Sequence, residues 1–364
     1  MRIGIDIRKY YDYGIGTYIQ NLVSSFQNQS DLNCVYFGQD DLKLSLANSL
    51  NGEFISDNSK KYSLQELYTV SKRANIQRLD LFHSPHYTLP INLSMPSVVT
   101  IHDIIHLRLK EYFSFPKRSY AYLMIRHACS ASSAIIVDSE FGKKELLDVF
   151  NVNENKIHVI PLGVNQSFFN KASDKEKETF RKKYAVSKPY ILYTGSLKPH
   201  KNIPILLKAF KKILIDHNIQ LVLTGEKLGD NSQLVRYVIE NKLSDAVRDF
   251  GRIDQEDLRI AYQSASAVVL PSFYEGFGFS MLEAMASGVS AIGARATSIT
   301  EVVGDAGLLF DPADENELAE QLAMVLTNQK LRTELVEKGL MRAQQFSWQR
   351  CAEKTVQVYQ EVLK

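Results

Sequence analysis

The stretch that indicates the fold most directly is LPSFYEGFGFSMLEAM, residues 270–285. An apolar strand is predicted to end at Leu270, and a helix is predicted to begin near Phe279. The loop between them contains Gly276 and Gly278, which allow a ligand to approach the main chain because they carry no Cβ atom. The free N–H groups at the start of a helix, together with the helix dipole, bind anions such as a pyrophosphate. The stretch therefore predicts a phosphate site between a strand and a helix.

Two carboxylates accompany this predicted phosphate site. Glu275 stands in the loop and Glu283 stands one turn inside the helix, so that both can face one ligand. A carboxylate accepts two hydroxyl hydrogen bonds at once, which suits a sugar or a ribose. The structural alternative is a tight turn followed by an acidic residue that the helix dipole favours.

The same order of short strand and helix recurs along the chain, whose 364 residues indicate two domains at roughly 150 residues per domain. Strands are predicted at 2–7, 79–82, 97–101, 134–137 and 158–160, and then at 190–194, 220–224, 247–250, 267–270, 290–292 and 308–310. Helices are predicted at 141–150, 203–215, 254–263, 279–287 and 315–326. Alternating strands and helices predict an α/β protein with parallel sheets covered on both faces. We expect two doubly wound, Rossmann-like domains that face a cleft, with ligands beyond the carboxyl ends of the strands.

The predicted domain boundary lies in a polar, lysine-rich segment from residue 165 to 188. The amphipathic pattern at 348–363 comes after the last predicted strand, and we expect it to form a helix that crosses back onto the N-terminal domain. The predicted domains are therefore 1–168 plus 346–364, which would bind the acceptor, and 169–345, which would bind the donor.

Charge and cysteine content argue against several classes of protein. The 43 basic and 41 acidic residues leave a net charge of +2, too neutral to favour a nucleic-acid-binding protein. Cys34, Cys129 and Cys351 are far apart in the sequence and are expected to be reduced thiols in the cytoplasm. The chain has neither the apolar core of a signal peptide at its start nor a run of about eighteen apolar residues, so a cytoplasmic location is expected.

The spacing of Glu275 and Glu283 resembles the Glu-x7-Glu signature of the family 4 retaining glycosyltransferases, which have the two-domain GT-B fold. Four other segments are also similar to that family: VVTIHD at 98–103, VIPLGV at 159–164, YTGSLKPHKN at 193–202 and EVVGDAGLLFDP at 301–312. The matches run from residue 4 to about residue 312, and the resemblance is closest to mannosyltransferases of bacterial surface polysaccharide assembly.

The resemblance implies a catalytic role for three side chains. His102 would touch the sugar from the N-terminal domain, Glu275 would bind hydroxyl groups of the donated sugar, and Lys201 would neutralise the leaving phosphate. Glu283 would bind the ribose, and Gly16 would bring the backbone of the N-terminal domain against the phosphate.

The same resemblance implies a wider set of donor contacts. Backbone amides between Phe277 and Ser280 would meet the diphosphate, and the backbone near Arg252 and Ile253 would recognise the base. The donor-binding candidates are Gly16, Ser196, Lys198, Lys201, Arg252, Ile253, Glu275, Gly276, Phe277, Gly278, Phe279, Ser280 and Glu283.

One departure from the family pattern concerns the phosphate site. The family often carries an arginine beside the lysine, either just after the glycine or just before the lysine, whereas this chain has Ser196 and His200 there. An arginine can bind two phosphate oxygens at once, and a neutral serine or histidine cannot. Lys198 is the residue that could compensate.

A dinucleotide site is the first alternative, since Gly14 and Gly16 follow the first strand. The full fingerprint needs a third glycine three residues later, and Ile19 stands at that position. The acidic residues Asp40 and Asp41 have a suitable spacing, but no strand is predicted to end before them. A dehydrogenase is therefore disfavoured.

A metal site is the second alternative. His83, His86 and His102 come from different strand ends without a recognisable supporting residue. His83 and His86 could instead line the acceptor side or serve loop packing. The Asp-x-Asp motif of metal-dependent glycosyltransferases is absent from the sequence, so neither a metal nor another cofactor is predicted.

A segment from Leu107 to Cys129 interleaves basic and aromatic residues, as an interface with anionic lipid does. An ordinary surface helix with a buried aromatic face would give the same pattern. Because the family often acts on lipid-linked acceptors, the membrane interpretation is slightly favoured.

The predicted function is therefore retaining transfer of a hexose from a nucleotide diphosphate sugar to an acceptor hydroxyl, with a lipid-linked or surface glycan as acceptor. GDP-mannose is the first choice of donor and a UDP-hexose is the second. The alternatives are a nucleotide-sugar epimerase or hydrolase of the same fold, and a non-catalytic scaffold that binds sugar nucleotides.

Overall fold

A computed structural model describes residues 1–27, 29–46 and 49–364. The chain forms two compact units, Met1–Gly163 with Ser347–Lys364, and Val164–Phe346. The first unit therefore ends five residues before the predicted boundary at 168. The amide of Val164 donates to the carbonyl of Phe346 at 3.3 Å, and the ring of Phe168 packs edge-on against Tyr262 at 5.4 Å. These contacts attach residues 164–168 to the second unit.

The first unit contains a seven-stranded parallel sheet in the order β3-β2-β1-β4-β5-β6-β7. Its strands are β1 Arg2–Asp6, β2 Asn33–Gly38, β3 Glu53–Ser56, β4 Leu81–Ser84, β5 Ser97–Thr100, β6 Ala134–Val137 and β7 Ile157–Val159. Its first six α-helices are α1 Tyr13–Phe26, α2 Asp40–Leu46, α3 Leu64–Ala74, α4 Ile105–Arg108, α5 Phe115–Ala131 and α6 Glu140–Val149. Short 3-10 helices lie at Lys110–Tyr112 and Glu154–Lys156.

Strands β2 and β3 were not among the predicted elements. Strand β2 ends at Gly38, shortly before Asp40, so the expectation that no strand ends there was wrong. The carboxylate of Asp40 accepts a hydrogen bond from the Asn58 side chain at 2.6 Å. This contact gives Asp40 a structural partner in a neighbouring loop.

The second unit contains a six-stranded parallel sheet in the order β10-β9-β8-β11-β12-β13. Its strands are β8 Tyr190–Gly195, β9 Gln220–Gly225, β10 Val247–Gly251, β11 Ala267–Leu270, β12 Ala291–Ala294 and β13 Leu308–Phe310. Its α-helices are α7 Asp174–Lys183, α8 Ile203–Ile213, α9 Ser232–Glu240, α10 Gln255–Gln263, α11 Phe279–Ala286, α12 Ile299–Val303, α13 Glu315–Thr327 and α14 Gln329–Ala343. Short 3-10 helices lie at Gln166–Phe169, Pro199–Lys201 and Leu228–Asp230.

Helix α7 occupies the lysine-rich segment in which the sequence analysis predicted only a boundary. A capping box starts it: the Ser173 hydroxyl accepts from the Glu176 amide, and the Glu176 carboxylate accepts from the Ser173 amide. Phe180 is the buried residue of this helix. The helix therefore forms through its cap and one apolar contact despite its high charge.

The last helix, α15 Trp348–Val362, belongs to the first unit, as predicted. Its Tyr359 ring lies 6.1 Å from the ring of Phe26 in α1, and its Trp348 ring lies 6.3 Å from the ring of Tyr18. A Cβ atom on Gly163 would lie 2.2 Å from the backbone nitrogen of Trp348. Glycine at this position therefore permits the close approach of the returning chain.

The predicted α/β class with two parallel sheets and a returning C-terminal helix is confirmed. The three cysteines are buried, and no two of them form a disulfide bond. Within the described ranges, none of the helices combines the length and the apolarity that a membrane span needs.

Candidate active site

An ion pair between Lys201 and Glu275 lies at the carboxyl ends of β8 and β11. The 3-10 helix after β8 carries Lys201, and the loop between β11 and α11 carries Glu275. The Lys201 ammonium nitrogen lies 2.6 and 2.8 Å from the two oxygens of the Glu275 carboxylate. The side chains are only 18% and 13% exposed, so water screens the pair weakly. Two residues that the sequence analysis singled out separately are thus in direct contact.

Three further side chains hold Glu275 in place. The Ser272 hydroxyl donates to the Glu275 carboxylate at 2.6 Å, and the Ser298 hydroxyl donates to its carbonyl at 2.9 Å. The Glu275 amide donates to the Thr297 hydroxyl at 3.1 Å. Thr297 has a φ of 51°, a left-handed conformation that is uncommon for a threonine and often occurs at functional sites. The carboxylate is therefore oriented before any ligand arrives.

Gly278 is the N-cap of α11 and has a φ of 104°, a conformation that favours glycine. Because glycine has no side chain, it cannot accept a hydrogen bond from the first turn as a serine or aspartate would. The predicted diphosphate-binding segment, Phe277 to Ser280, lies at this helix start, and Gly276 adjoins it. The site thus combines a helix N-terminus with the ammonium group of Lys201, two features that favour an anion.

Glu283 lies one turn inside α11 and accepts a hydrogen bond from the Tyr262 hydroxyl at 2.7 Å. Burial raises the pKa of Glu283 to about 7. Near neutral pH the carboxyl group is therefore close to half ionised, and hydroxyl donors from a ligand would favour the ionised form. Tyr262 belongs to α10 and was not predicted from the sequence.

Ser196 and His200 stand at the two positions where the family often has an arginine, and the backbone of each accepts a hydrogen bond. The carbonyl of Ser196 accepts from the Tyr193 hydroxyl at 2.5 Å, and the carbonyl of His200 accepts from the Phe273 amide at 2.9 Å. Lys198 is exposed and makes no ion pair with the described residues, and its carbonyl accepts from the Lys201 amide at 2.9 Å. Its ammonium group therefore has no local counter-ion, and its predicted compensating role remains a prediction.

In the first unit, His102 follows β5 and is fixed by two acceptors. Its Nδ1 atom lies 2.8 Å from the Asp138 carboxylate, and its Nε2 atom lies 3.2 Å from the Pro85 carbonyl. Burial alone would lower the pKa of His102, but the charge and hydrogen bond of Asp138 raise it above its usual value. Both partners are hydrogen-bond acceptors, an arrangement that favours the doubly protonated form of the ring.

Asp138 follows β6 and was not predicted to take part. One of its carboxylate oxygens, Oδ1, is buried without a hydrogen-bond partner among the described residues. Burial raises the pKa of Asp138, and the neighbouring His102 opposes that effect. A polar residue directly after an apolar strand was the signal that could have identified it, as it identified His102.

Comparisons with known proteins identify the family of this chain. A family model described as glycosyltransferase family 4 matches residues 13–168, and a model described as glycosyl transferases group 1 matches residues 174–341. The O-antigen chain mannosyltransferase B of Escherichia coli is 30% identical over 281 residues, which are 77% of this chain and 74% of that protein. The chain belongs to the family 4 glycosyltransferases.

Solved structures show the same fold for this glycosyltransferase. A glycosyltransferase from Rickettsia africae has a TM-score of 0.80 at 18% identity, over 100% of this chain and 98% of that one. An Anabaena protein in complex with UDP-glucose has a TM-score of 0.81 at 18% identity, over 99% of this chain and 100% of that one. The predicted family and GT-B fold are confirmed.

The remaining donor-site candidates of the glycosyltransferase lie in well-defined local structure. A Cβ atom on Gly16 would lie 2.4 Å from the Tyr10 carbonyl oxygen, so loop packing alone requires glycine there. Arg252 and Ile253 directly follow β10, and Arg252 is exposed. In the sheet, β9 lies between β10 and β8, the strand that precedes Lys201. The predicted roles of these three residues toward phosphate and base remain predictions.

His83 has a structural role in the glycosyltransferase. Its ring nitrogens lie 2.6 Å from the Tyr359 hydroxyl and 2.9 Å from the Thr100 hydroxyl, and burial lowers its pKa to about 3. His86 is also buried, and burial followed by the charge of Lys9 lowers its pKa. The described residues contain no group of three or more His, Cys, Asp or Glu side chains that could hold a metal ion.

The pKa of Glu283 predicts a pH dependence of nucleotide affinity. If the ribose hydroxyls donate to the ionised carboxylate, affinity is full above pH 7 and falls about tenfold for each pH unit below 7, because the proton must first leave. Calorimetric titration of GDP and UDP between pH 5.5 and 8.5 measures this slope. Glu283→Gln is the matched control, since it leaves only the titration of the ligand itself. Equal slopes in the wild type and the variant would contradict the role of Glu283.

Proposed function

We propose that this glycosyltransferase transfers a hexose from a nucleotide diphosphate sugar to an acceptor hydroxyl with retention of configuration. The observation that carries the proposal is the Lys201–Glu275 pair beside the N-terminus of α11. Breaking the bond between a sugar and a diphosphate creates negative charge on the departing oxygen. The Lys201 ammonium and the helix dipole stabilise that charge without a metal ion.

In the proposed mechanism, the donor enters between partners that are already oriented. Its β-phosphate binds the Lys201 ammonium, and hydroxyl groups of its sugar donate to the Glu275 carboxylate. The acceptor oxygen forms a bond to the anomeric carbon on the face from which the phosphate oxygen departs, and the acceptor proton passes to that oxygen. Lys201 and Ser272 already bind the Glu275 carboxylate, which makes it a poor nucleophile and favours this front-face displacement over a covalent intermediate.

Mannose is the proposed sugar, with GDP-mannose as donor, because the E. coli relative is named an O-antigen chain mannosyltransferase. A UDP-hexose is the second candidate, since the Anabaena protein of the same fold was crystallised with UDP-glucose. The acceptor is proposed to be a glycan, free or lipid-linked.

Nucleotide binding tests the proposed donor site. Thermal unfolding with GDP, UDP, ADP and NAD at equal millimolar concentration, in EDTA, is expected to show a shift of a few degrees with one diphosphate and none with NAD. A ligand at about a hundred times its Kd stabilises by about 2.7 kcal/mol, enough for such a shift.

Lys201→Ala is the control, because it removes the cation without altering α11. No shift with any diphosphate would contradict the donor site and favour a non-catalytic scaffold over a transferase. Donor turnover without acceptor would instead favour an epimerase or hydrolase.

We also propose that the segment from Leu107 to Cys129 contacts an anionic membrane at the cytoplasmic face. Phe115, Tyr122 and Leu123 are exposed, as are Lys110 and Lys117. Lys110 lines the same surface groove as Tyr122 and Leu123. Apolar rings and cations on one surface suit a lipid headgroup layer. Co-sedimentation with phosphatidylglycerol vesicles, but not with phosphatidylcholine vesicles, is expected, and equal recovery with both would contradict it.

A further inference from the structure

A second group of side chains, here called the platform cluster, lies at the sheet edge next to His102. It consists of Lys9, Tyr62, His86, Asp103 and Tyr120. Lys9 follows β1, His86 follows β4 and Asp103 follows β5, so these three are at neighbouring carboxyl ends of one sheet. None of the five is among the donor-binding candidates.

Tyr62 is the aromatic centre of the platform cluster. It is 45% exposed although its ring has three neighbours: the Lys9 ammonium at 4.4 Å and the rings of His86 and Tyr120 at 5.8 and 6.4 Å, both edge-on. Its backbone has a φ of 60°, and its amide donates to the Glu66 carboxylate at 3.0 Å. A bulky residue in this conformation is strained and persists only where the surrounding contacts fix it, as ligand sites often require.

Two hydrogen-bond donors beside this ring are incompletely used. Lys9 is only 4% exposed, and among the described residues its ammonium group donates one hydrogen bond, to the Thr88 hydroxyl at 3.3 Å. The Tyr120 hydroxyl is buried near the Glu66 carboxylate, and no described residue forms a hydrogen bond of ordinary geometry with it. An exposed ring beside unused donors matches a sugar, whose C–H face packs on an aromatic ring while its hydroxyl groups take hydrogen bonds.

The charges around Tyr62 disfavour an anionic ligand. Arg8 is fully engaged, because its guanidinium pairs with Asp6 at 2.6 Å and with Glu66 at 3.1 Å. Burial raises the pKa of Tyr62 to about 12, and the neighbouring carboxylates of Asp12, Glu66 and Asp103 add to that effect. Asp12 pairs with Lys61 at 2.6 Å, and among the described residues Lys9 is the cation of the platform cluster without an ion pair. A phosphate group beside Tyr62 would therefore meet that single cation and, close by, the carboxylate of Asp103.

We propose that the platform cluster binds an uncharged sugar unit of the acceptor, which packs on the Tyr62 ring and takes hydrogen bonds from Lys9 and Tyr120. A phosphorylated acceptor is disfavoured at this position by the nearby carboxylates. The inference rests on the proposed function, because it names the acceptor of the same transfer reaction.

Saturation-transfer NMR tests the proposal on the intact protein with four named probes. These are methyl α-mannopyranoside, methyl α-glucopyranoside, methyl β-galactopyranoside and mannose 6-phosphate. At least one methyl glycoside is expected to receive saturation at its ring C–H protons, and mannose 6-phosphate is expected to receive none. Tyr62→Ala is expected to weaken that binding by at least roughly tenfold, the loss typical of a central aromatic contact.

Two variants separate stacking from other effects. Tyr62→Phe keeps the ring and is expected to bind within about twofold of the wild type, whereas Tyr62→Leu keeps apolar bulk and is expected to bind as weakly as Tyr62→Ala. Tyr68→Ala removes a tyrosine that is 58% exposed on the neighbouring helix α3 and is expected to leave binding unchanged. Absence of binding by all three glycosides, wild-type affinity of Tyr62→Ala, or preferential binding of mannose 6-phosphate would each overturn the proposal.

The nucleotide experiment makes the two possible failures distinguishable. A shift with a nucleoside diphosphate but no glycoside binding would reject the platform cluster and leave the proposed transfer standing. Glycoside binding that depends on Tyr62, without any nucleotide shift, would support the platform cluster and reject the proposed donor.

Discussion

Replacing Lys201 with alanine is expected to lower kcat roughly 100- to 1,000-fold while the glycosyltransferase stays folded. The Lys201 ammonium is the cation held at the predicted diphosphate position. Its attraction to the departing phosphate strengthens as negative charge develops on that group in the transition state. An interaction that strengthens in the transition state lowers kcat when it is lost, whereas uniform binding would change KM alone. Release of nucleoside diphosphate under saturating donor measures the effect.

Stability and catalysis can be separated with a double variant. Lys201→Ala leaves the Glu275 carboxylate without its counter-charge, so part of any loss could come from local destabilisation. Adding Glu275→Gln removes that charge, and we expect the double variant to regain the melting temperature but not the activity. Lys208→Ala, an exposed lysine on α8, is the matched control and is expected to keep the wild-type rate.

Glu275→Ala alone is expected to lower turnover at least roughly tenfold. Wild-type turnover in both Lys201→Ala and Glu275→Ala would reject the assignment of the site.

Replacing Tyr359 with alanine is expected to lower the free energy of unfolding by about 3–5 kcal/mol, the range for a buried aromatic residue truncated to alanine. Tyr359 is completely buried, with its ring 6.1 Å from Phe26 and 5.6 Å from His83. Its hydroxyl bonds to the His83 ring at 2.6 Å, so the truncation also leaves a buried histidine nitrogen unpaired. Denaturant unfolding measures the change.

Hydrogen exchange locates this effect. Loss of amide protection is expected in β1 and β4, because α15 is part of the same unit as these strands. Tyr359→Phe keeps the ring and loses only the hydroxyl, so a smaller change of about 1–3 kcal/mol is expected. Lys354→Ala on the exposed side of α15 is the control and is expected to change nothing. Unchanged protection of β1 and β4 in Tyr359→Ala would contradict the structural role of the returning helix.

The sequence predicted the elements whose apolar residues form uninterrupted short runs. β6 and β13 have the predicted bounds, because AIIV and LLF are apolar throughout. β2 is the exception, since it was missed although Cys34 to Phe37 form a buried apolar run. β3 is a four-residue edge strand without a fully buried residue, so it gives no clear pattern. Helix α7 was missed although Ser173 and Glu176 give the sequence of a capping box. Its high charge and its single buried residue, Phe180, resemble a linker more than an amphipathic helix.

The candidate site could be predicted only in part. Glu275 and Lys201 were found individually, but their direct contact joins residues 74 positions apart and depends on strand order. Thr297 accepts a hydrogen bond from Glu275, 22 positions away in the sequence. Tyr262 donates one to Glu283, 21 positions away. A single sequence does not reveal which positions of these elements lie opposite one another. His102 was predicted, whereas its partner Asp138 was not, because the neighbouring position of β5 and β6 emerges only from the folded sheet.

The central claim is retaining transfer from a nucleotide diphosphate sugar, and proton NMR of the reaction products tests it most directly. The purified protein is incubated in EDTA with GDP-mannose or UDP-glucose and with methyl α-mannopyranoside. The account predicts that one donor yields its nucleoside diphosphate and a new glycosidic anomeric signal with the α configuration of that donor. A β-linked product, or no nucleoside diphosphate from either donor, would contradict the account.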